Sequence, residues 1–306
     1  MRSDPYAYPE ITRVQGESLL GVVEILAAGP IETTFTIRLR WPDGTEVDHE
    51  LRRPKQANLP PTPKHFGKKW LVADQVGAIG YMRIKSFDPE KATLAPHGKM
   101  TTILRAALKK LKKTEGLIID LQGNGGGLVA ASDPFLGNLL KRRQSYRWGN
   151  SGGKTRVIRP RKPRYAGDIV VIVDAGSASG GEWAARILRD AGRATVIGGR
   201  TAGAEAAVHT STAADGSKVT FSAWPMAEPG VTPFQEKGIE LDYALPLTVA
   251  NVREVGYENA LERVRRARFG RALELLGAPE SDLEELYRLA EEADHPVEKE
   301  TRSEGL

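Results

Sequence analysis

With 306 residues, 40 % of them apolar and 27 % charged, the chain has the balance of a globular protein and room for about two domains of ~150 residues each. Its formal net charge is +5, yet only Arg159–Arg164 (RPRKPR) is densely basic. Prolines and no aromatic residues separate those cations, so the run reads as a solvated, extended connector and no nucleic-acid partner is expected.

The absence of cysteine excludes disulfides, thiolate metal sites and cysteine nucleophiles. No apolar run approaches the ~20 residues that cross a bilayer, so no transmembrane segment is expected. The N-terminal MRSDPYAYPE lacks the apolar stretch of a signal peptide. His49, His65, His97, His209 and His295 are scattered, without the helical pairing of a zinc site, so neither a metal nor a cofactor is expected.

In chain order, residues 11–53 predict a strand, a helix and a hairpin. The helix is Gly16–Ala28, with Leu19, Leu20, Val22, Val23 and Leu26 on a helical period. The hairpin is TTFTIRLRW, alternating at period two, then a Pro42-Asp43-Gly44 turn and TEVDHELRR. Arg53–Lys69 is rich in proline and lysine and reads as a linker. Val76–Ile84 predicts a strand and His97–Lys113 a cationic amphipathic helix. Gly116–Leu121 and Asp168–Asp174 are continuous apolar strands, the pattern of a sheet covered on both faces. Between them lie a glycine run and a further helical stretch. Glu182–Ala191 predicts a helix and Ala194–Gly198 a third buried strand. β-type segments follow near Lys218–Trp224 and Gly238–Leu247. Helix is expected from about Val255 to Ala293, then a disordered polar tail over Asp294–Leu306. Strands alternating with helices make this an α/β core.

Two segments carry chemistry. In DIVVIVDAGSASGGEWAARILRD an apolar strand runs through a Gly/Ser turn into a helix. A serine there sits at a helix N-terminus, where free N–H groups and the dipole stabilise an oxyanion. The nucleophile elbow has the same arrangement, although Ser177 stands where that motif has its first glycine. On this segment alone an ordinary N-cap or a phosphate-binding turn is the stronger reading of the same residues. In GLIIDLQGNGGGLVAAS, Gly123, Gly125, Gly126 and Gly127 surround Asn124 at the end of a strand. The spacing is neither the dinucleotide fingerprint nor a P-loop; a nest of N–H groups, half of an oxyanion hole, and a plain tight turn both fit it.

Together these segments resemble the C-terminal processing (tail-specific) peptidases. GLIIDLQGNGGGL is similar to LIIDLRGNPGG of that family, and GSASGGE to its GSASASE. AGRATVIGGRTAGA, IGYMRIKSF, FQEKGIELDYALPLTV and EVGYENALERVRR resemble further family segments in the expected order over residues 76–268. Residues 11–53 resemble the later part of a PDZ-like module. The resemblance implies a crotonase/ClpP-like ββα core beside a partial PDZ-like module, divided as residues 1–53, a linker 54–70, a peptidase core 71–270 and a C-terminal helix and tail 271–306. It implies Ser179 as nucleophile, Gly180 and Gly126 as oxyanion donors, and Glu182 as the motif glutamate.

The family's general-base lysine aligns with Ala204, and its supporting glutamine with Val208. A tricorn-core-like branch uses serine with histidine and glutamate instead, and RTAGA resembles its text. The histidine of that branch precedes the PDZ-like module, which places it before Met1 if this start is truncated. Inside the chain, His209 and His97 are candidate bases and Glu236 a candidate orienting carboxylate, although Gln235 aligns equally well with the glutamine of the Ser–Lys motif; Lys237 and Arg200 read as solvated. The expected activity is serine-type hydrolysis of unfolded or C-terminal peptide segments, with a periplasmic or secreted location implied by the family. The rival readings are an inactive peptide- or apolar-ligand-binding relative and, from the core fold, an acyl-CoA enzyme. Oligomeric state is not readable from the sequence.

Overall fold

The computed structural model describes residues 33–40, 44–52, 70–88, 97–148, 154–204, 207–212, 218–224 and 237–294. The expected Gly16–Ala28 helix, the linker, Glu236 with Gln235, and nearly all of the polar tail lie outside them. The chain divides into two compact units, Met1–His65 and Phe66–Leu306.

In the first unit the described residues form an antiparallel hairpin, β1 (Thr34–Arg40) and β2 (Glu46–Arg52), with Thr34 opposite Arg52. An exposed Arg38–Asp48 pair at 2.6 Å crosses it. Such a pair contributes at most about 1 kcal/mol.

The second unit is built on a six-stranded sheet. Its strands are β3 (Leu71–Val76), β4 (Ile79–Ile84), β5 (Gly116–Asp120), β8 (Asp168–Val173), β9 (Thr195–Gly198) and β12 (Tyr243–Ala244). The spatial order is β12-β9-β8-β5-β4-β3, parallel throughout except for β3, which pairs antiparallel with β4. Val76–Ile84 is therefore not one strand: Gly77, at φ 53°, turns the chain between β3 and β4.

The continuous apolar strands have the predicted cause. Leu117, Ile119, Val171 and Val173 face one core, while Ile118, Val170 and Ile172 face the other. Period two thus serves two cores at once. The first core is closed by α1 (His97–Lys110), α2 (Val129–Leu139) and α3 (Gly180–Asp190). Met100, Leu104 and Leu108 of α1 are buried at i, i+4 and i+8, the stripe expected of its pattern. The second core is closed by α5 (Tyr257–Leu275) and α6 (Leu283–Asp294), which follow the short α4 (Val249–Val255). The expected C-terminal helical stretch begins just after Gly256, φ 81°, and is broken after Leu275, where Gly277 has φ 65°.

Two hairpins complete the unit: β6 (Gln144–Trp148) with β7 (Lys154–Ile158), and β10 (Ala207–Thr212) with β11 (Lys218–Trp224). The β-type segment expected over Gly238–Leu247 shrinks to the two residues of β12. No helix among the described residues is long and apolar enough to cross a membrane.

Candidate active site

Ligands of open parallel sheets lie outside the carboxyl ends of the strands. At that edge the loops after β4, β5, β8 and β9 are tied together. Ala178 N donates to Asn124 O at 2.9 Å and Phe87 N to Gly126 O at 2.7 Å. Ala202 N donates to Ser177 O at 3.0 Å. The glycine turn after β5 and the serine turn after β8, both singled out in the sequence, are thus one construction.

Asp174 and Ser177 clamp it. The Asp174 carboxylate accepts from Gly123 N at 2.8 Å and Gly176 N at 3.0 Å. The fully buried Ser177 donates its hydroxyl to Leu121 O at 2.7 Å and accepts from Asp174 N at 3.0 Å. A hydroxyl so engaged is structural, which leaves Ser179 as the serine of chemical interest.

Ser179 is half-buried at the N-cap of α3, with φ 50° and ψ −119°. Among the described residues it alone, apart from glycines, has a positive φ. A side chain held there costs roughly 1–3 kcal/mol of strain, which surrounding contacts must offset. Glu182 supplies them. Its carboxylate is fully buried and accepts four hydrogen bonds: from Ser179 N at 2.9 Å, Ala204 N at 2.9 Å, Gly203 N at 2.7 Å and the Thr201 hydroxyl at 2.5 Å. Burial pushes this carboxyl above the usual glutamate range, and the four donors pull the other way. The elbow and the loop after β9 therefore hang on one side chain, to which the sequence attached only a motif position.

The glycine turn lies against the elbow. A Cβ on Gly126 would stand 2.7 Å from Ser179 Cβ and 2.8 Å from Gly180 N. The N–H of Gly126 is not available to a ligand, however, because it donates to Asn124 Oδ1 at 2.8 Å. This corrects the assignment of Gly126 as an oxyanion donor: an N–H committed to a side-chain acceptor cannot also be aimed at substrate. The neighbouring Gly127 N–H makes no hydrogen bond among the described residues, nor does Gly180 N–H at the first helical position. Gly127 N is 3.4 Å from where a Cβ on Gly180 would be, so the two free donors are close neighbours.

Ala204 is brought to the site, one carboxylate away from Ser179, but offers no titratable group. His209 lies on β10 and His97 opens α1; only their backbones are described. Glu236 and Gln235 fall outside the described residues. Lys237 is exposed, and its carbonyl accepts from Arg200 Nε at 2.8 Å. Among the described residues no three carboxylates or histidines cluster as a metal site.

Two alanine substitutions separate fit from composition. Gly126→Ala forces a Cβ into the elbow at φ 98° and is expected to cost about 1–3 kcal/mol in urea unfolding. Gly125→Ala, with nothing within 4 Å of the added Cβ, is expected to change stability by less than about 0.5 kcal/mol.

Residues 78–245 match the sequence profile of Peptidase family S41. The chain is 26 % identical over 250 residues to the carboxy-terminal processing protease CtpB of Bacillus subtilis, covering 77 % of this chain and 48 % of that protein. It is 25 % identical over 246 residues to the chloroplastic carboxyl-terminal-processing peptidase 3 of Arabidopsis thaliana, covering 76 % and 46 %. The chain thus spans about half the length of these relatives. Among solved structures, the photosystem II D1 C-terminal processing protease superposes with a TM-score of 0.50 at 22 % identity, covering 79 % of this chain and 64 % of that one. Mature CPAF superposes with a TM-score of 0.57 at 14 % identity, covering 85 % and 72 %. These likenesses are of fold alone.

Proposed function

The chain belongs to peptidase family S41, and on that premise we propose that it is a serine peptidase with Ser179 as nucleophile. The observation that carries this reading is the backbone of Ser179, held at positive φ by Glu182 beside two unused N–H donors. Such an arrangement presents a hydroxyl and an oxyanion hole to one carbonyl.

In the proposed cycle a base takes the Ser179 proton as the hydroxyl oxygen adds to a peptide carbonyl. Gly180 and Gly127 N–H groups receive the oxyanion. The C–N bond then breaks as the base returns its proton to the leaving amine. Water hydrolyses the acyl-enzyme by the reverse sequence. A serine hydroxyl without a base is a weak nucleophile, and Ala204 cannot serve. We assign the base to His209 and the orienting carboxylate to Glu236.

The substrate class proposed is an unfolded or C-terminal peptide segment, met outside the cytoplasm as the family resemblance implies. The core is read as crotonase/ClpP-like. The N-terminal unit is read as a partial PDZ-like module, of which the β1–β2 hairpin would be the closing element.

Fluorophosphonate labelling of the folded chain tests this directly. Labelling is expected, its loss in Ser179→Ala complete, and its rate in His209→Ala lower by at least about 100-fold, the lower end for a general base. Labelling that survives in Ser179→Ala would refute the nucleophile. Unchanged labelling in His209→Ala would refute the base. A folded chain that takes no label would leave a binding protein in place of a peptidase.

A further inference from the structure

The run Arg159–Arg164 is not a free connector. Arg161 N donates to Gly137 O at 2.7 Å and Tyr165 N to Asn138 O at 2.9 Å, while Asn138 Nδ2 donates to Pro163 O at 2.7 Å. The segment is a strap fixed along the C-terminal half of α2. Pro160 and Pro163 stiffen it, and Arg159, Arg161, Lys162 and Arg164 are exposed along it.

Other cations adjoin the strap. Arg105 of α1 donates to Lys162 O at 3.2 Å, which joins helix and strap. Lys109 and Lys112 follow Arg105 at i+4 and i+7, so they continue its exposed face. Gln144 of β6 pairs with Ile158 of β7, so the next residues outward, Arg143 and Arg159, stand opposite each other. None of these side chains makes an ion pair among the described residues. The acids near this face are Glu115 and Asp168, where a Cβ on Gly167 would be 2.4 Å from Glu115 O, and Asp74 of β3, which is taken up by Lys110 of α1 at 3.0 Å. Asp168 is already shared, acting on Arg193 beside Arg164.

So many unpaired like charges repel one another and gain only from an external polyanion. The strap carries no aromatic residue for stacking on bases, and its cations are spread along an extended segment and a helix face. The strap leads into the start of β8, and α1 runs back toward the start of β5, so this face is at the edge of the sheet opposite the catalytic loops.

We propose that the face formed by α1 and the 159–164 strap docks the protein on an anionic phospholipid surface, leaving the Ser179 edge turned away from the bilayer. The attraction is electrostatic, about one favourable contribution per cation near the headgroups, and weakens with salt.

Co-sedimentation of the whole chain with vesicles tests it. Vesicles of equal parts phosphatidylcholine and phosphatidylglycerol are expected to carry the chain down at low salt and release it at high salt; phosphatidylcholine alone is expected not to. The triple variant Arg105→Glu, Arg161→Glu, Arg164→Glu is expected to lower partitioning by at least about 100-fold. A control variant, Arg253→Glu, Arg263→Glu, Arg288→Glu, makes the same change of charge on α5 and α6, which close the second core, and on α4, which packs against α5, and is expected to retain most binding. Circular dichroism verifies that both variants fold. Failure to bind acidic vesicles, equal loss in both variants, or binding of an oligonucleotide with vesicles ignored would overturn the proposal.

Discussion

Glu182→Ala is expected to lower unfolding stability by roughly 3–5 kcal/mol and to slow labelling of Ser179 by at least about 100-fold. The carboxylate is the acceptor for Ser179 N, Gly203 N, Ala204 N and the Thr201 hydroxyl, and it is fully buried. Removing it leaves those donors without a partner, at about 1–3 kcal/mol for each that water cannot reach. It also removes what holds Ser179 at φ 50°. A relaxed elbow moves both the hydroxyl and the Gly180 N–H, so the reactivity of the folded protein falls as well as its stability. Urea unfolding, and labelling measured well below the unfolding midpoint, separate the two effects. A variant that unfolds earlier but labels at the normal rate when folded would show that Glu182 is a structural cap and not a positioning residue.

The same side chain gives a pH signature. Its folded pKa lies above the unfolded value, taken as 4.5, because burial outweighs the four donors. The folded state therefore holds the proton longer. The stability linked to that proton is fully present below the unfolded value and is lost as pH rises through the folded one. Wild-type stability is expected to fall with rising pH across that window, a slope that Glu182→Gln lacks. Parallel pH profiles for the two would remove Glu182 as the titrating group.

What was legible in the sequence was what a period records. GLIID and DIVVIV are apolar apart from the aspartate that ends the one and opens the other, and the apolar positions of each turned out to be covered on both faces. The α1 stripe gave that helix to within a turn. The start of α3 was read two residues late, because Gly180 and Gly181 are poor helix formers and are present for a different reason: Cβ atoms there would meet Gly127 O and Asn124 O. The β6–β7 hairpin went unread, since only five residues on each side carry the alternation. The two serines of GSASGGE could not be ranked by geometry until Ser177 proved buried and doubly bonded. The choice between Gly126 and Gly127 as donor depended on one side-chain hydrogen bond from Asn124, which no spacing reveals. Nor did any pattern mark Arg268, which sits among Arg263, Arg265, Arg266 and Arg271, all of which reach solvent, yet is fully buried.

That arginine belongs to the network behind the second large effect. Asp120→Ala is expected to cost roughly 3–5 kcal/mol, the range for breaking one side of a buried ion pair. Asp120 ends β5 with no exposure and pairs with Arg83 at 2.5 Å. It also accepts from the Tyr81 hydroxyl at 2.9 Å and from Gln122 N at 3.0 Å and Nε2 at 3.1 Å. Gln122 in turn accepts from Arg268 of α5 at 2.9 Å. The glycine turn begins at the next residue, so Asp120 holds the root of the proposed oxyanion hole from below while Asn124 shapes it from within. Removing the carboxylate takes the buried counter-ion from Arg83, which keeps its bond to Gln122 O at 3.3 Å, and frees the Gln122 side chain to shift. Asp120→Asn, of nearly the same shape, still takes the counter-ion from Arg83 and is expected to lose most of the same stability. The double variant Asp120→Leu, Arg83→Met removes both charges and is expected to recover a large part of it. If the double variant were no better than the single ones, the cost would lie in packing, and the pair would not be what fixes the turn.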